Sequence, residues 1–358
     1  MKAKKQRLTA CAVALSLSLM AGCSGKEEKA AAKDGEENLK GELTVYTAIE
    51  DELIPVYLDS FEEKYPNVDI NIVRDSTGVI TAKLLAEGEN TPADVIWGTA
   101  ASSLLELEKK GMLAGYSPKG VERVQPLFKD SNQPEKWVGN TAFMTGIAVN
   151  KEELKKKNLP MPKSYRDLVK PEYKGTIVMP HPASSGTGFL TVSAWLQMMG
   201  EDKGWNYMKQ LHENVATYTH SGSKPAKLAS AGEYPIGISM VYSAVKEKQK
   251  GSPIEVILPE EGLGWEVEAN ALVKKDENSE VAKAFLDWAI SDEAMKEYFE
   301  ANGFAAVENT FKAPEGFPAD VASQLFDQND LKWASENREA ILEKWEKEFG
   351  QKAEANEE

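Results

Sequence analysis

Cysteine is almost missing from this 358-residue chain: Cys11 and Cys23 are the full set, and both sit near the N-terminus. The body of the chain therefore has no disulfide, no thiolate zinc site and no cysteine nucleophile. Histidine is scarce as well. His181, His212 and His220 show no HExxH spacing, which leaves little for zinc hydrolysis. Basic residues are outnumbered, 42 against 57 acidic ones, for a net charge of −15. A chain of that sign is a poor partner for nucleic acid or an anionic membrane face. Any anion site must then be local, built from dipoles and donors against an unfavourable overall field. Signatures of catalysis are lacking too. Ser185 stands in Ser-Ser-Gly-Thr-Gly and not in a Gly-x-Ser-x-Gly elbow, and Ser184 to Gly188 lacks the Gly-Lys-Ser/Thr ending of a nucleotide loop. No carboxylate spacing marks a catalytic pair, and nothing supplies an activated nucleophile. Neither an enzyme nor a resident metal or cofactor is expected.

What is present begins with an export pattern. Lys2 to Arg7 form a basic segment, and Leu8 to Met20 an apolar stretch too short to span a bilayer comfortably. Leu19-Met20-Ala21-Gly22-Cys23-Ser24 follows. Small residues before a cysteine resemble the lipobox of bacterial lipoproteins, with Met20 where leucine is commoner. Residues 1–22 are thus expected to be a lipoprotein signal, with Cys23 the lipidated first residue of the mature chain. Residues 23–40 are polar and without a core pattern, and read as a flexible tether.

From Glu42 onward the pattern alternates. Leu43-Thr44-Val45-Tyr46-Thr47 reads as a strand, and Leu53, Val56, Tyr57 and Phe61 share one helical face. Strands are predicted again at Asn67–Val73 and Ala93–Trp97, each followed by a helix, which is the pattern of an α/β lobe. A second such lobe follows, with strands near Thr176, Val215, Ile236 and Ile254. Ala269 to Val273 is expected to return to the first lobe. The organisation predicted is lobe 1 over 41–149, lobe 2 over 150–262, a return to lobe 1 over 263–310, and charged C-terminal helices over 311–358, helical from about Ala319.

Hydroxyls gather at four strand ends: Tyr46-Thr47-Ala48, Asp75-Ser76-Thr77-Gly78, Ser184-Ser185-Gly186-Thr187 and His220-Ser221-Gly222-Ser223. Two readings compete for the third. Ser185 or Thr187 caps its own helix, or the loop cradles an oxyanion with unpaired helix amides, glycine backbone and hydroxyl donors. Several such loops on facing lobes favour the cradle, since a tetrahedral oxyanion offers many acceptor oxygens.

These stretches carry a resemblance. Leu43–Ala48, Pro92–Gly98 and Gly146–Asn150 make Gly41 to Val307 similar to type II periplasmic binding proteins of ABC importers, in the branch that includes ferric-binding proteins. Pro182–Leu190, Thr219–Pro225 and Glu260–Trp265 look more specifically like 2-aminoethylphosphonate-binding proteins, whose relatives include hexose-phosphate binders. The resemblance implies two α/β lobes joined by a two-strand hinge and closing on a ligand in the cleft between them. It implies an ABC permease as partner; a monomeric receptor is expected, with no nucleic-acid partner on the ground of its charge, in an extracytoplasmic location anchored through Cys23 on the ground of the signal pattern. Carried over by motif, Ser76, Thr77, Ser185, Gly186 and Thr187 would hold phosphonate oxygens. Thr47, His220, Ser221 and Tyr242 would line the cleft. One departure matters: relatives with Phe-Glu-Tyr at a strand end have Met240-Val241-Tyr242 here. Val241 cannot pair a ligand amine, which leaves Glu50, Glu266 and Glu268 as candidates, Glu50 and Glu268 being the ones carried into the expected site. A sugar phosphate needs the same loops plus polar groups for ring hydroxyls, for which His220, Glu266 and Asn270 could serve. Iron binders of this branch commonly use two adjacent tyrosines, and no Tyr-Tyr pair occurs here.

The signal pattern makes a direct prediction. Cys23→Ser should release the protein from membranes, which fractionation reads. A wild-type protein already free in the medium with an unlipidated N-terminus would contradict the lipobox reading.

Overall fold

Short β-branched runs alternating with amphipathic segments fold as that alternation dictates. The computed structural model describes residues 39–355, except 278, 313, 319 and 320. The expected signal 1–22, Cys23 and nearly all of the tether lie outside the described residues. The first half runs β1 (Lys40–Thr47), α1 (Ile54–Lys64), β2 (Asn67–Arg74), α2 (Thr77–Glu87), β3 (Val95–Ala100), α3 (Ala101–Lys109) and β4 (Leu113–Ala114). Then come β5 (Val138–Asn150), α4 (Lys151–Lys156), β6 (Ile177–Pro180), α5 (Gly186–Met199), α6 (Glu201–Asn214) and β7 (Val215–Thr219). The chain continues through α7 (Lys224–Ser230), β8 (Ile236–Met240), α8 (Val241–Gln249), β9 (Ile254–Ile257) and β10 (Trp265–Val273), and closes with α9 (Glu280–Ala289), α10 (Asp292–Asn302) and α11 (Leu331–Phe349).

The strand order is β2-β1-β3-β10-β5-β8-β6-β7. β1 pairs parallel with β2 and β3, and β6 pairs parallel with β7 and β8. Parallel strands present their C-terminal ends along one edge, where ligands of open α/β sheets bind. β5 belongs to both halves. Its Val138–Met144 portion pairs antiparallel with β10, and its Thr145–Asn150 portion pairs with β8 and β9. β10 carries a register shift at Glu268/Ala269 opposite β5, and such a bulge re-aims side chains locally.

Two hydrophobic cores flank that shared strand. In the first, Trp97 donates its indole N–H to the Tyr298 hydroxyl at 2.9 Å, and Tyr57 meets the Tyr298 ring edge-on at 4.7 Å. In the second, Trp195 packs edge-on against Tyr165 at 5.4 Å, and Trp345 against Tyr218 at 5.2 Å. Trp345 comes from α11, whose buried Ala334, Arg338, Ile341, Trp345 and Phe349 follow helical spacing. Helix starts obey their caps: Asn150, Ser185, Ser279 and Ser291 each accept a backbone N–H from the first turn.

The C-terminal region departs from the expected helix beginning near Ala319. Among the described residues of 311–330, a single 3₁₀ turn, Val321–Gln324, is the helical piece before α11. From the end of that turn the backbone is engaged elsewhere: Leu263 N–H donates to Gln324 C=O at 2.7 Å, and Phe326 N–H to Leu263 C=O at 2.9 Å. The helix starts where Asp330 can cap it by accepting the Trp333 amide. Among the described residues, no helix is long and apolar enough to cross a membrane.

Candidate functional site

Three hydroxyl loops end β2, precede α5 and follow β7, and the parallel strands bring them to one edge. Ser76 is the N-cap of α2 but makes no side-chain capping bond, so its hydroxyl is not consumed by its helix. Ser185 caps α5: its oxygen accepts the Gly188 amide at 3.2 Å. That bond uses a lone pair and leaves the hydroxyl proton free to donate, so the capping and cradle readings are compatible at this residue. Ser76, Thr77, Ser185, Gly186 and Thr187 all line one cavity. The N-termini of α2 and α5, with their unpaired amides, open on the same space.

Close approach requires glycine here. Gly78 N–H donates across the cleft to Ser184 C=O at 2.9 Å, and a Cβ at Gly78 would lie 2.0 Å from the Ala183 carbonyl oxygen. A Cβ at Gly186 would meet the Thr77 hydroxyl at 2.7 Å, and one at Gly222 the Thr187 hydroxyl at 2.2 Å. The walls enclose about 40 Å³, room for a water or two, so a ligand of several heavy atoms enters only as the walls part.

The other walls carry acids, phenols and one cation. Arg74, at the end of β2, donates from Nε to the Ile49 carbonyl at 3.0 Å and sets Nη2 3.5 Å from the Glu50 carboxylate. Glu50 also accepts from Ser223 Oγ at 3.0 Å and has Lys227 Nζ at 4.0 Å. Burial raises its pKa, and Arg74 and Lys227 oppose that rise. Glu268 differs. Its carboxylate is buried against Gly98, and its Oε1 has no hydrogen-bond partner. Burial pushes its pKa up to about 8, the Asn140 side chain opposes the shift and the Glu50 charge adds to it. No cation appears among these influences. The hydroxyls of Tyr57 and Tyr242, both lining the cavity, are likewise buried without partners.

Of the residues expected from sequence, the oxyanion set shares the cavity with Glu50, Tyr242 and Glu268. Thr47 does not line it. Fully buried, Thr47 accepts the Ile49 amide at 3.1 Å and so shapes the turn that presents Glu50. His220 sits at the exposed rim, its Nε2 3.4 Å from Asp75 Oδ1. Ser221 accepts the Lys224 amide at 3.3 Å, and its neighbours Gly222 and Ser223 are the ones that reach the cleft or its acids. Glu266 is buried away from the cavity. Its pKa is pushed up to about 7 by burial, a shift opposed by Ser102, the Val267 amide and Arg338. Asn270 accepts the Gly98 amide at 3.0 Å and does not line the cavity. Sequence reasoning missed Arg74, Tyr57 and Gly98. A cation directly before the Asp75-Ser76-Thr77 run was the available signal for the first. Among the described residues, no group of three His, Cys, Asp or Glu is placed to hold a metal ion.

Comparison with known proteins agrees with this architecture. Residues 90–337 match the family described as bacterial extracellular solute-binding protein. An uncharacterized protein of Haemophilus influenzae is 30% identical, over 88% of this chain and 92% of its own. The Fe(3+)-binding periplasmic protein of Serratia marcescens is 23% identical, over 81% of this chain and 83% of its own. Among solved structures, the periplasmic binding protein AfuA of Actinobacillus pleuropneumoniae, with fructose-6-phosphate bound, superposes with a TM-score of 0.80 at 30% identity, covering 87% of this chain and 99% of that one. The fold is the mixed α/β, type II periplasmic-binding-protein arrangement expected from sequence.

Glu268 gives this site a pH signature. An unfolded chain releases that proton near 4.5, whereas the folded chain holds it to about 8. Between those values the folded state binds the extra proton, so this group makes stability fall as pH rises. Glu268→Gln should therefore be more stable than the parent at pH 8, with the difference vanishing near pH 4.5. Urea denaturation across that range checks it, and a pH-independent difference would contradict it.

Proposed function

This chain belongs to the bacterial extracellular solute-binding protein family, and we propose that it captures a small phosphonate, 2-aminoethylphosphonate, for delivery to an ABC permease. The coarser reading, a periplasmic-type solute-binding protein of an ABC importer, rests on the family itself. In the finer one, the receptor is monomeric and extracytoplasmic, held to the membrane by a lipid on Cys23.

The observation that carries the ligand is the pairing of two unmatched chemistries in one cleft. Amides and hydroxyls at the starts of α2 and α5 suit a phosphonate dianion, whose charge-assisted hydrogen bonds are the strong kind. Glu268 brings a buried carboxylate with a free oxygen and no protein cation beside it. A ligand ammonium supplies that cation, and an ammonium enclosed without a carboxylate would be costly. Glu50 is already matched by Arg74, Lys227 and Ser223, and Glu266 lies near Arg338 outside the cavity. Glu268 is thus the partner we assign to the amine. Ligand reaching both walls favours the closed state over the open one.

A second reading is a sugar phosphate, favoured by the likeness to AfuA with fructose-6-phosphate bound. The same cradle would take the phosphate, and Glu268, Tyr57 and Tyr242 would meet ring hydroxyls. Iron, named for the Serratia relative, has less support, because Tyr242 lacks the sequence-adjacent tyrosine of the iron binders.

Calorimetric titration of residues 24–358 against 2-aminoethylphosphonate, ethylphosphonate, inorganic phosphate, glucose 6-phosphate and ferric citrate decides. Binding of 2-aminoethylphosphonate is expected, weakened by about 1–3 kcal/mol in Ser185→Ala or Thr187→Ala. Glu268→Gln should hurt 2-aminoethylphosphonate much more than ethylphosphonate. Heat with glucose 6-phosphate alone would replace the phosphonate by a sugar phosphate, and binding of iron alone would overturn both readings.

A further inference from the structure

The loop between β7 and α7 touches the opposite wall at several points. Ser223 donates to Glu50 at 3.0 Å, His220 Nε2 lies 3.4 Å from Asp75, and Lys227, one turn further on, has Nζ 3.8 Å from Glu52. Gly222 of the same loop lines the cavity. Yet the loop is short and glycine-bearing, and its outer side depends on something from far away in sequence.

That support is the C-terminal tail. β7 ends the strand order, so its outer edge is free to accept another extended segment. After α11 and the turn Gly350–Lys352, Ala353 forms a parallel bridge to Tyr218, and Glu354 N–H donates to Tyr218 C=O at 2.9 Å. Lys352 Nζ reaches the Val215 carbonyl at 2.7 Å, and Thr217 Oγ1 donates to the Lys352 carbonyl at 3.0 Å. The tail is thereby registered on β7, and its last anchored side chain falls at the loop. One oxygen of the Glu354 carboxylate accepts the His220 backbone amide, and the other pairs with Lys224 Nζ at 2.7 Å. The Glu354 side chain is four-fifths buried in doing so. Upstream, Glu346 of α11 lies 3.3 Å from His181 Nε2, at the entry of the loop that leads to Ser185.

We propose that Glu354 is a positioning residue for solute capture: it clamps the His220–Ser223 loop from outside, in the place from which that loop meets Glu50 and Asp75 as the cleft closes. A carboxylate suits the task because it takes a backbone amide and an ammonium at once, one on each oxygen. The clamp acts through the loop and touches no ligand. The proposal rests on solute capture in this cleft but on no particular solute, so its test begins without one.

Hydrogen exchange of the ligand-free mature chain, followed peptide by peptide, reads the clamp directly in Glu354→Ala and Glu354→Gln. Glu354→Ala should speed exchange at residues 219–224 by about tenfold with a melting temperature near that of the parent. Glu354→Gln keeps an acceptor for His220 and loses the ion pair, so it should fall between. Small-angle scattering of the same samples should show a larger radius of gyration in Glu354→Ala, because the loop no longer meets the facing wall. Lys224→Ala should reproduce the Gln variant and add little on top of Glu354→Ala. Unchanged exchange at 219–224, or loosening spread over the whole chain with a lowered melting temperature, would overturn the proposal. With 2-aminoethylphosphonate as probe, faster dissociation from Glu354→Ala would extend the support to capture, and a dissociation rate equal to the parent's would overturn the link to capture. If the parent binds neither 2-aminoethylphosphonate nor glucose 6-phosphate, the ligand reading fails while the exchange and scattering results still decide the clamp.

Discussion

Two helix N-termini share one small space in this protein, where Gly78 N–H at the start of α2 meets Ser184 C=O just before α5. Each N-terminus carries partial positive charge and unpaired amides. Bringing two of them together is unfavourable unless an acceptor-rich, negative group lies between, and the overall charge of −15 cannot supply that locally. Glycine at 78, 186 and 222 permits an approach that any Cβ would block. The cleft's chemistry follows from this constraint: hydroxyls of Ser76, Thr77, Ser185 and Thr187 surround a place suited to an oxyanion.

The sheet supplies the opposite chemistry. β10 lies between β3 and β5, the strand shared by both halves, and its register shift follows Glu268 immediately. Gly98 in β3, with a positive φ of 65°, makes room for the Ile49 side chain, and the Glu268 carboxylate lies beside the same spot. Burial then keeps that carboxylate protonated near neutral pH until something positive or hydrogen-bonding arrives. Stability is surrendered at a site that gains its partner from outside, a pattern that points to ligand binding more than to packing.

The strand–helix alternation was legible in the sequence because it is local, written in β-branched runs and 3.6-residue periodicity, and so was the Ser185 cap of α5. The oxyanion candidates could be named from the sequence for the same reason, since each lies at the start of a helix. What failed to show was set by distant partners. Glu266 and Glu268 look alike two residues apart, and only the fold separates them, by bringing Arg338 of α11 near the first and no cation to the second. Thr47 read as a cleft hydroxyl, but it is fully buried behind the turn it shapes and does not line the cavity. Arg74 went unnoticed because its role appears only when β2 is laid beside the turn after β1. Leu325 and Phe326 read as helix but leave it, because Leu263, some sixty residues earlier, bridges Leu325, donates to the Gln324 carbonyl and accepts the Phe326 amide.

The most direct test of the account is a crystal structure of the soluble chain with 2-aminoethylphosphonate. The phosphorus should sit between the starts of α2 and α5, its oxygens within hydrogen-bonding reach of Ser76, Thr77, Ser185 and Thr187, with the nitrogen beside Glu268. A ligand lying outside this cleft, or one whose phosphonate avoids both helix starts, would contradict it.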